Sequence, residues 1–229
     1  MLLTLPRASA LALALIAPQT APPAKPAPVR AAVKIELEKK SADGKVNPIA
    51  SDHVFTTGDQ IRLRITSDFD GFLYVMVQGS SGSFRTAFPA PDAGNDNHVT
   101  RGQAILIPSN GDWFEVDGPP GFDTLYFLLS PEPIVTPSAN AFVAPGPISS
   151  LKPRCNDTIF RARGECTDAN AGPAALPKDA PLPAPLQPIA GAASRDITVV
   201  KKKDSVTVGA STSKVTTGPV VYTFRLAHR

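Results

Sequence analysis

Cysteine is nearly missing from this 229-residue chain: there are two, Cys155 and Cys166, with no C-x-x-C spacing. That excludes a thioredoxin-type dithiol and a four-cysteine zinc site. Histidine is just as sparse, and His53, His98 and His228 lie too far from one another and from the cysteines to complete a local metal set. The motifs that announce chemistry are also missing. There is no G-x-S-x-G, no H-E-x-x-H and no phosphate loop of the G-x-x-x-x-G-K type, so no catalytic residue and no cofactor is assigned. An excess of one charge is lacking too, since 23 basic and 20 acidic side chains leave +3. A phosphate-binding surface would need a stronger bias, which argues against nucleic acid. The one basic run, Lys201-Lys202-Lys203, is followed by Asp204 and reads as a solvated strand end.

What is present is ordinary globular material with one excess. Hydrophobic residues make up 42% and charged residues 19%, whereas proline reaches 25 residues. Proline clusters between Pro6 and Pro28 and again between Pro131 and Pro188, so folded sequence is expected between and after these tracts. At the front, Arg7 precedes the apolar run Ala8–Ala17, followed by small residues and prolines. This is the layout of a secretory leader. The run is about half the ~20 residues a membrane span needs, so no transmembrane anchor is expected. The leader is assigned to residues 1–21, with cleavage between 17 and 24. Residues 22–31 form a Pro/Ala-rich tether of extended, polyproline character. In an exported chain an isolated cysteine pair closes a loop, and a Cys155–Cys166 disulfide is expected to contribute about 2–3 kcal/mol.

From Val33 the apolar period is two. Val33, Ile35 and Leu37 alternate with Lys34, Glu36 and Glu38, and Ile61, Leu63 and Ile65 alternate with Gln60, Arg62 and Arg64. Residues 72–77 are apolar on both faces, as in a central strand. Asp70-Gly71 is read as a tight turn supplying a positive-φ glycine, and Gly79-Ser80-Ser81-Gly82 as a second turn into residues 83–88. Further strands are expected at 103–107, 113–116 and 124–129, and no stretch has a helical period. The fold class is therefore all-β, an antiparallel β-sandwich or Greek-key barrel, with the body at residues 32–135. Residues 136–193 read as a Pro-rich irregular insertion carrying the disulfide loop. Strands then return at 196–200, 205–208 and 219–226, within a C-terminal segment 194–229 expected to pack on the body.

Site candidates are few. Asp92, Asn95, Asp96 and Asn97 offer oxygen ligands suited to Ca²⁺, without the D-x-D-x-D-G spacing or the bidentate glutamate of a dedicated loop. Trp113-Phe114 reads either as core or as an exposed aromatic pair for carbohydrate or peptide. His53 and His98 are candidate acid–base groups with no nucleophile motif beside them. Asn156-Asp157-Thr158 is formally a glycosylation sequon.

Several short motifs occur in a familiar order: Gly58-Asp59-Gln60-Ile61-Arg62-Leu63, Asp70-Gly71-Phe72-Leu73-Tyr74-Val75, Phe88-Pro89, Asn97-His98-Val99 with Gly102, and Ile107-Pro108. Together, over about Val33 to Pro133, they resemble a bacterial domain-of-unknown-function family often appended to caspase-like peptidases and serine/threonine kinases. Phe72 stands where that family commonly has tyrosine, and Ala87 where leucine usually precedes Phe-Pro. The resemblance implies a β fold and a bacterial source, and it supplies no catalytic residues. The expectation is a non-catalytic, exported binding or accessory module of the cell envelope, periplasmic or extracellular, engaging an envelope protein, peptide or glycan. A weak hydrolase with a spatially dispersed site and a structural envelope component are the alternatives.

The leader assignment predicts an exported product lacking roughly 17–24 N-terminal residues. Intact-mass measurement on fractionated cells checks this, and a cytosolic product that retains Met1 would contradict it.

Overall fold

The computed structural model describes residues 31–90, 96–109, 111–134, 150–182, 186–187, 191–210 and 218–229. The assigned leader and all of the tether except Ala31 lie outside the described residues, as do Asp92 and Asn95.

The alternating segments form the expected strands. In β1 (Ala32–Lys40), Val33, Ile35 and Leu37 are buried, and in β4 (Gln60–Ser67) the same holds for Ile61, Leu63 and Ile65. The two strands pair antiparallel, with Leu37 opposite Leu63 and Ile35 opposite Ile65, so both apolar rows face the same way. They form the centre of a first sheet ordered β12 (Ile197–Lys202), β13 (Ser205–Ala210), β1, β4 and β8 (Ala104–Ile107). Short β2 (Val46–Ile49) joins β1, and β9 (Phe114–Glu115) joins β4.

The second sheet runs β11 (Gly172–Ala175), β14 (Val220–His228), β10 (Gly121–Ser130), β5 (Gly71–Gln78) and β6 (Phe84–Phe88). In it β3 (Val54–Phe55) pairs with β14 and β7 (His98–Val99) with β5. Among the described residues every strand pairing is antiparallel except that between β3 and β14. The sheets pack as a sandwich and do not close into a barrel.

The core fills the space between them. Phe127 stacks on Tyr222 with ring centroids 5.1 Å apart and planes 7° from parallel, and Phe224 lies beside them. Terminal strand β14 is central rather than peripheral, paired with β10 from Gly121–His228 to Leu129–Val220. That position accounts for its apolarity on both faces.

Two expectations need correcting. Gly71 does not adopt positive φ; it is the first residue of β5. A Cβ there would stand 2.5 Å from both the Phe69 ring and the Ser130 carbonyl oxygen, so glycine is required by close approach. The turn itself is held by the Ser67 hydroxyl, which donates to Phe69 O and accepts from Phe69 N–H.

The absence of helical period also misses α1 (Asp157–Arg163). This helix buries none of its residues, so it has no apolar stripe for a period to reveal. Its signals are at the ends. Asn156 accepts the Ile159 N–H as N-cap, Asp157 opens the first turn, Arg161 and Arg163 close the last, and Gly164 follows at φ 69°.

The Pro-rich insertion has structural work beyond its loop. Leu176, Leu182 and Leu186 cover the outer face of the second sheet over Tyr74, Met76, Tyr126, Leu128 and Val221. Arg195 clamps this cover by donating to the carbonyls of Pro177 and Ala180. Each leucine so buried contributes about 1.5–3 kcal/mol.

One buried group is at odds with its surroundings. The Tyr222 hydroxyl is fully enclosed, has no hydrogen-bond partner among the described residues, and is pushed by burial well above its ordinary pKa. Tyr222→Phe keeps the ring stack and removes an unsatisfied donor, so it should stabilise the fold by about 1–3 kcal/mol. A urea midpoint that falls instead would show that the hydroxyl is satisfied.

Candidate functional site

At one end of the sandwich the core runs out before the sheets meet, leaving a cavity of about 310 Å³. Its floor continues the inner layer: Ile61 and Phe114 from the first sheet, Val77, Leu125 and Leu226 from the second, and Val116. Its rim is polar. The β5–β6 turn brings Ser80, Ser81 and Ser83, β6 brings Arg85, β9 brings Glu115 and the chain after it Asp117.

Asp123 reaches this cavity because β10 alternates. Leu125, Phe127 and Leu129 point inward, and Asp123 occupies the next inward position toward the strand's start. Its Oδ1 accepts the Ser80 N–H at 2.7 Å and thereby fixes the β5–β6 turn against β10. Gly121 completes the seat: a Cβ there would come within 2.9 Å of Ser80 Cβ.

Strand β14 shows the same parity. Val220, Tyr222, Phe224 and Leu226 face the core, and His228 continues the row. The His228 side chain is 1% exposed, and its Nε2 lies 3.3 Å from Asp123 Oδ1. That approach lacks hydrogen-bond geometry, so neither ring nitrogen has a hydrogen-bond partner among the described residues.

Serine, histidine and aspartate are thus neighbours but do not form an acyl-transfer relay, in which an imidazole must bridge the hydroxyl and the carboxylate. Here the carboxylate takes the middle place. The Ser80 hydroxyl donates to Pro119 O at 2.9 Å and not to His228.

The histidines singled out from sequence do not come together. His53 is half-buried edge-on to Phe55, with ring centroids 4.8 Å apart. Burial holds its imidazole below its ordinary pKa, and nearby Lys39 acts in the same direction. His98 is exposed beside Phe72 at the start of β5, whereas the cavity lies at that strand's other end. His228 and Asp123 were missed, although extending the inward parity of each strand would have identified them.

The remaining candidates have structural settings. Asp96 accepts the His98 N–H, and the buried Asn97 side chain donates to Leu73 O, contacts that seat β7 on β5. Among the described residues no group of three or more His, Cys, Asp or Glu is placed to hold a metal ion. Cys155 and Cys166 are disulfide-bonded, and Cys166 packs on Val54, Phe122, Ala171 and Ala227. Trp113 is half-buried on the first sheet's outer face, with the Arg62 guanidinium 4.4 Å from its ring centroid. Phe114 lines the cavity. Among the described residues no helix is long and apolar enough to cross a membrane.

Residues 54–133 match the model of a family described as a domain of unknown function, DUF4384. This agrees with the resemblance carried by the motifs from Gly58 to Ile107-Pro108. The matched span runs from β3 through β10 and contains every cavity-lining residue except Leu226. Neither curated proteins nor solved structures yield a match to the chain.

Next to Trp113, Glu38 accepts from Arg62 Nε and Arg64 Nε, each at 2.6 Å, with its side chain 10% exposed. Burial alone would raise its pKa, but the hydrogen bonds and charges of Arg64 and Arg62 outweigh that and hold it below the usual carboxylate range. A depressed folded-state pKa stabilises the protein above the unfolded value of about 4.3, and the benefit is lost as pH falls through the folded value. Glu38→Gln should therefore cost about 1.5–3 kcal/mol at neutral pH, with the gap to the parent narrowing below about pH 4. Urea titrations at several pH values check this, and a pH-independent gap would contradict it.

Proposed function

We propose that the chain is a non-catalytic, exported binding or accessory module of the bacterial cell envelope, engaging its ligand through the cavity at the open end of the sandwich. The observation that carries this reading is the cavity itself. It is concave, floored by core side chains and rimmed by convergent polar groups, the usual build of a small-ligand or anchor-residue site.

Support for export comes from the charge-then-apolar leader and from a disulfide, a bond favoured in oxidising compartments. Support for a non-catalytic role comes from the cavity's polar groups. They include serines, a carboxylate and a nearby imidazole, yet the Ser80 hydroxyl is committed to a backbone carbonyl. The weak-hydrolase alternative would need that hydroxyl to turn toward His228.

Site-specific photo-crosslinking in the native envelope tests the proposal. A crosslinker replacing Ser81 at the rim should capture a reproducible ligand or partner, whereas one replacing Lys202 on the distant edge strand β12 should not. Equal capture from both positions would remove the cavity from the account. Ester or amide turnover abolished by Ser80→Ala would overturn the non-catalytic reading.

A further inference from the structure

The cavity is more specific in charge than in shape. Glu115, Asp117 and Asp123 set three carboxylates against one guanidinium, Arg85, a local balance of −2 in a chain whose net charge is +3. Arg85 is already engaged, its guanidinium carbon 5.4 Å from the centroid of the Phe114 ring. An anion entering here would face the carboxylates with little to offset them, and a neutral apolar ligand would desolvate them without return.

A second observation concerns the side chain behind Asp123. His228 is 1% exposed, and neither of its ring nitrogens has a hydrogen-bond partner among the described residues. Its Nε2 stands 3.3 Å from the carboxylate oxygen that lines the cavity. Buried polar atoms are rarely left this way, so hydrogen-bonding demand is left unmet directly behind Asp123, the lining carboxylate, although His228 itself does not line the cavity. The cavity's volume sits at the lower end of the ~300–1,000 Å³ usual for ligand sites, which limits the occupant to a small body.

Resting on the binding role proposed above, we infer that the cavity takes an ammonium group on a short apolar stem. The stem lies against Val77, Leu125 and Leu226, and the ammonium meets the carboxylates of Asp123 and Glu115. Ammonium is favoured over guanidinium because it is compact and makes its hydrogen bonds in any direction, whereas the planar fork seeks a bidentate partner. A primary alkyl amine and a lysine side chain of an extended segment share this chemistry.

The test uses the full chain after leader removal, with n-hexylamine, hexanoate and n-hexanol as probes, and binding read by calorimetry and by amide chemical shifts. Hexylamine should bind saturably, shift Val77, Phe114 and Leu125, and exceed the other two by at least about tenfold. Glu115 is exposed, so Glu115→Gln should weaken the amine severalfold at an unchanged urea midpoint. Asp123→Asn should weaken it further, and because Asp123 also holds the β5–β6 turn, the Glu115 variant keeps the test independent of folding. A blocked lysine amide binding better than hexylamine would assign the ammonium to a protein segment, and the reverse would assign it to a small molecule; either supports the inference. Hexanoate or hexanol binding as tightly as the amine would overturn the ammonium assignment and leave the cavity as a binding site. Shifts at Val77, Phe114 and Leu125 with none of the probes would overturn both.

Discussion

The ladder between β10 and β14 joins the middle of the folded chain to its last strand, and most of the architecture follows from its register. Nine residue pairs run from Gly121–His228 to Leu129–Val220, placing Phe127 opposite Tyr222 and Leu125 opposite Phe224. Because side chains alternate, that one register sends the odd residues of β10 and the even residues of β14 into the core. A slip of one position would turn Tyr222 and Phe224 out of the core, so the alternatives are strongly disfavoured. The family match ends at residue 133, well before β14 begins, and it starts after β1. The sandwich therefore depends on strands from both sides of the matched span: β1 at the centre of one sheet and β14 between β11 and β10 in the other.

Much of this was readable from period-two alternation. Residues that alternate cleanly, such as Val33 to Leu37 and Ile61 to Ile65, have one wet and one dry face, and the pattern records that difference directly. The terminal run from Val220 to Leu226 was readable for the opposite reason, since apolarity on both faces leaves no solvated side. Shorter elements escaped. Strands of two residues, β3 and β7, carry no period at all, and α1 is too exposed to show one. The candidate site escaped because sequence reasoning searched for reactive residues in local motifs. Asp123 and His228 are 105 positions apart and meet only through the β10–β14 register.

The Pro-rich insertion resolves a tension within the second sheet. An antiparallel sheet in a two-layer sandwich normally leaves its outer face to water, yet Met76, Leu128 and Val221 make this one apolar. Proline cannot donate a sheet hydrogen bond, but it holds an extended chain at little further entropic cost, so leucines between prolines can lie flat on a strand surface. Leu176, Leu182 and Leu186 do this, and β11 pairs with β14 along the same edge. The first sheet solves the same problem electrostatically, with Glu38, Arg62 and Arg64 linked on its outer face beside Trp113.

Against this consistency, two inward positions among the described residues break the rule that buried polar groups are satisfied: the hydroxyl of Tyr222, and the imidazole of His228 beside Asp123. They differ in what surrounds them. Tyr222 is enclosed in the middle of the core, where its ring stacks on Phe127, so the hydroxyl is an expense carried by a well-packed aromatic. His228 stands behind a carboxylate that lines a cavity reaching solvent, at an end where the apolar layer is left unfilled. Leu at positions 123 and 228 would fill that end and keep the apolar pattern, at the cost of the acceptor that Asp123 gives the Ser80 N–H. The acid there is used to hold a turn, but the imidazole behind it is left unsatisfied beside an open cavity, and such departures from a fold's own stability rules concentrate at functional sites.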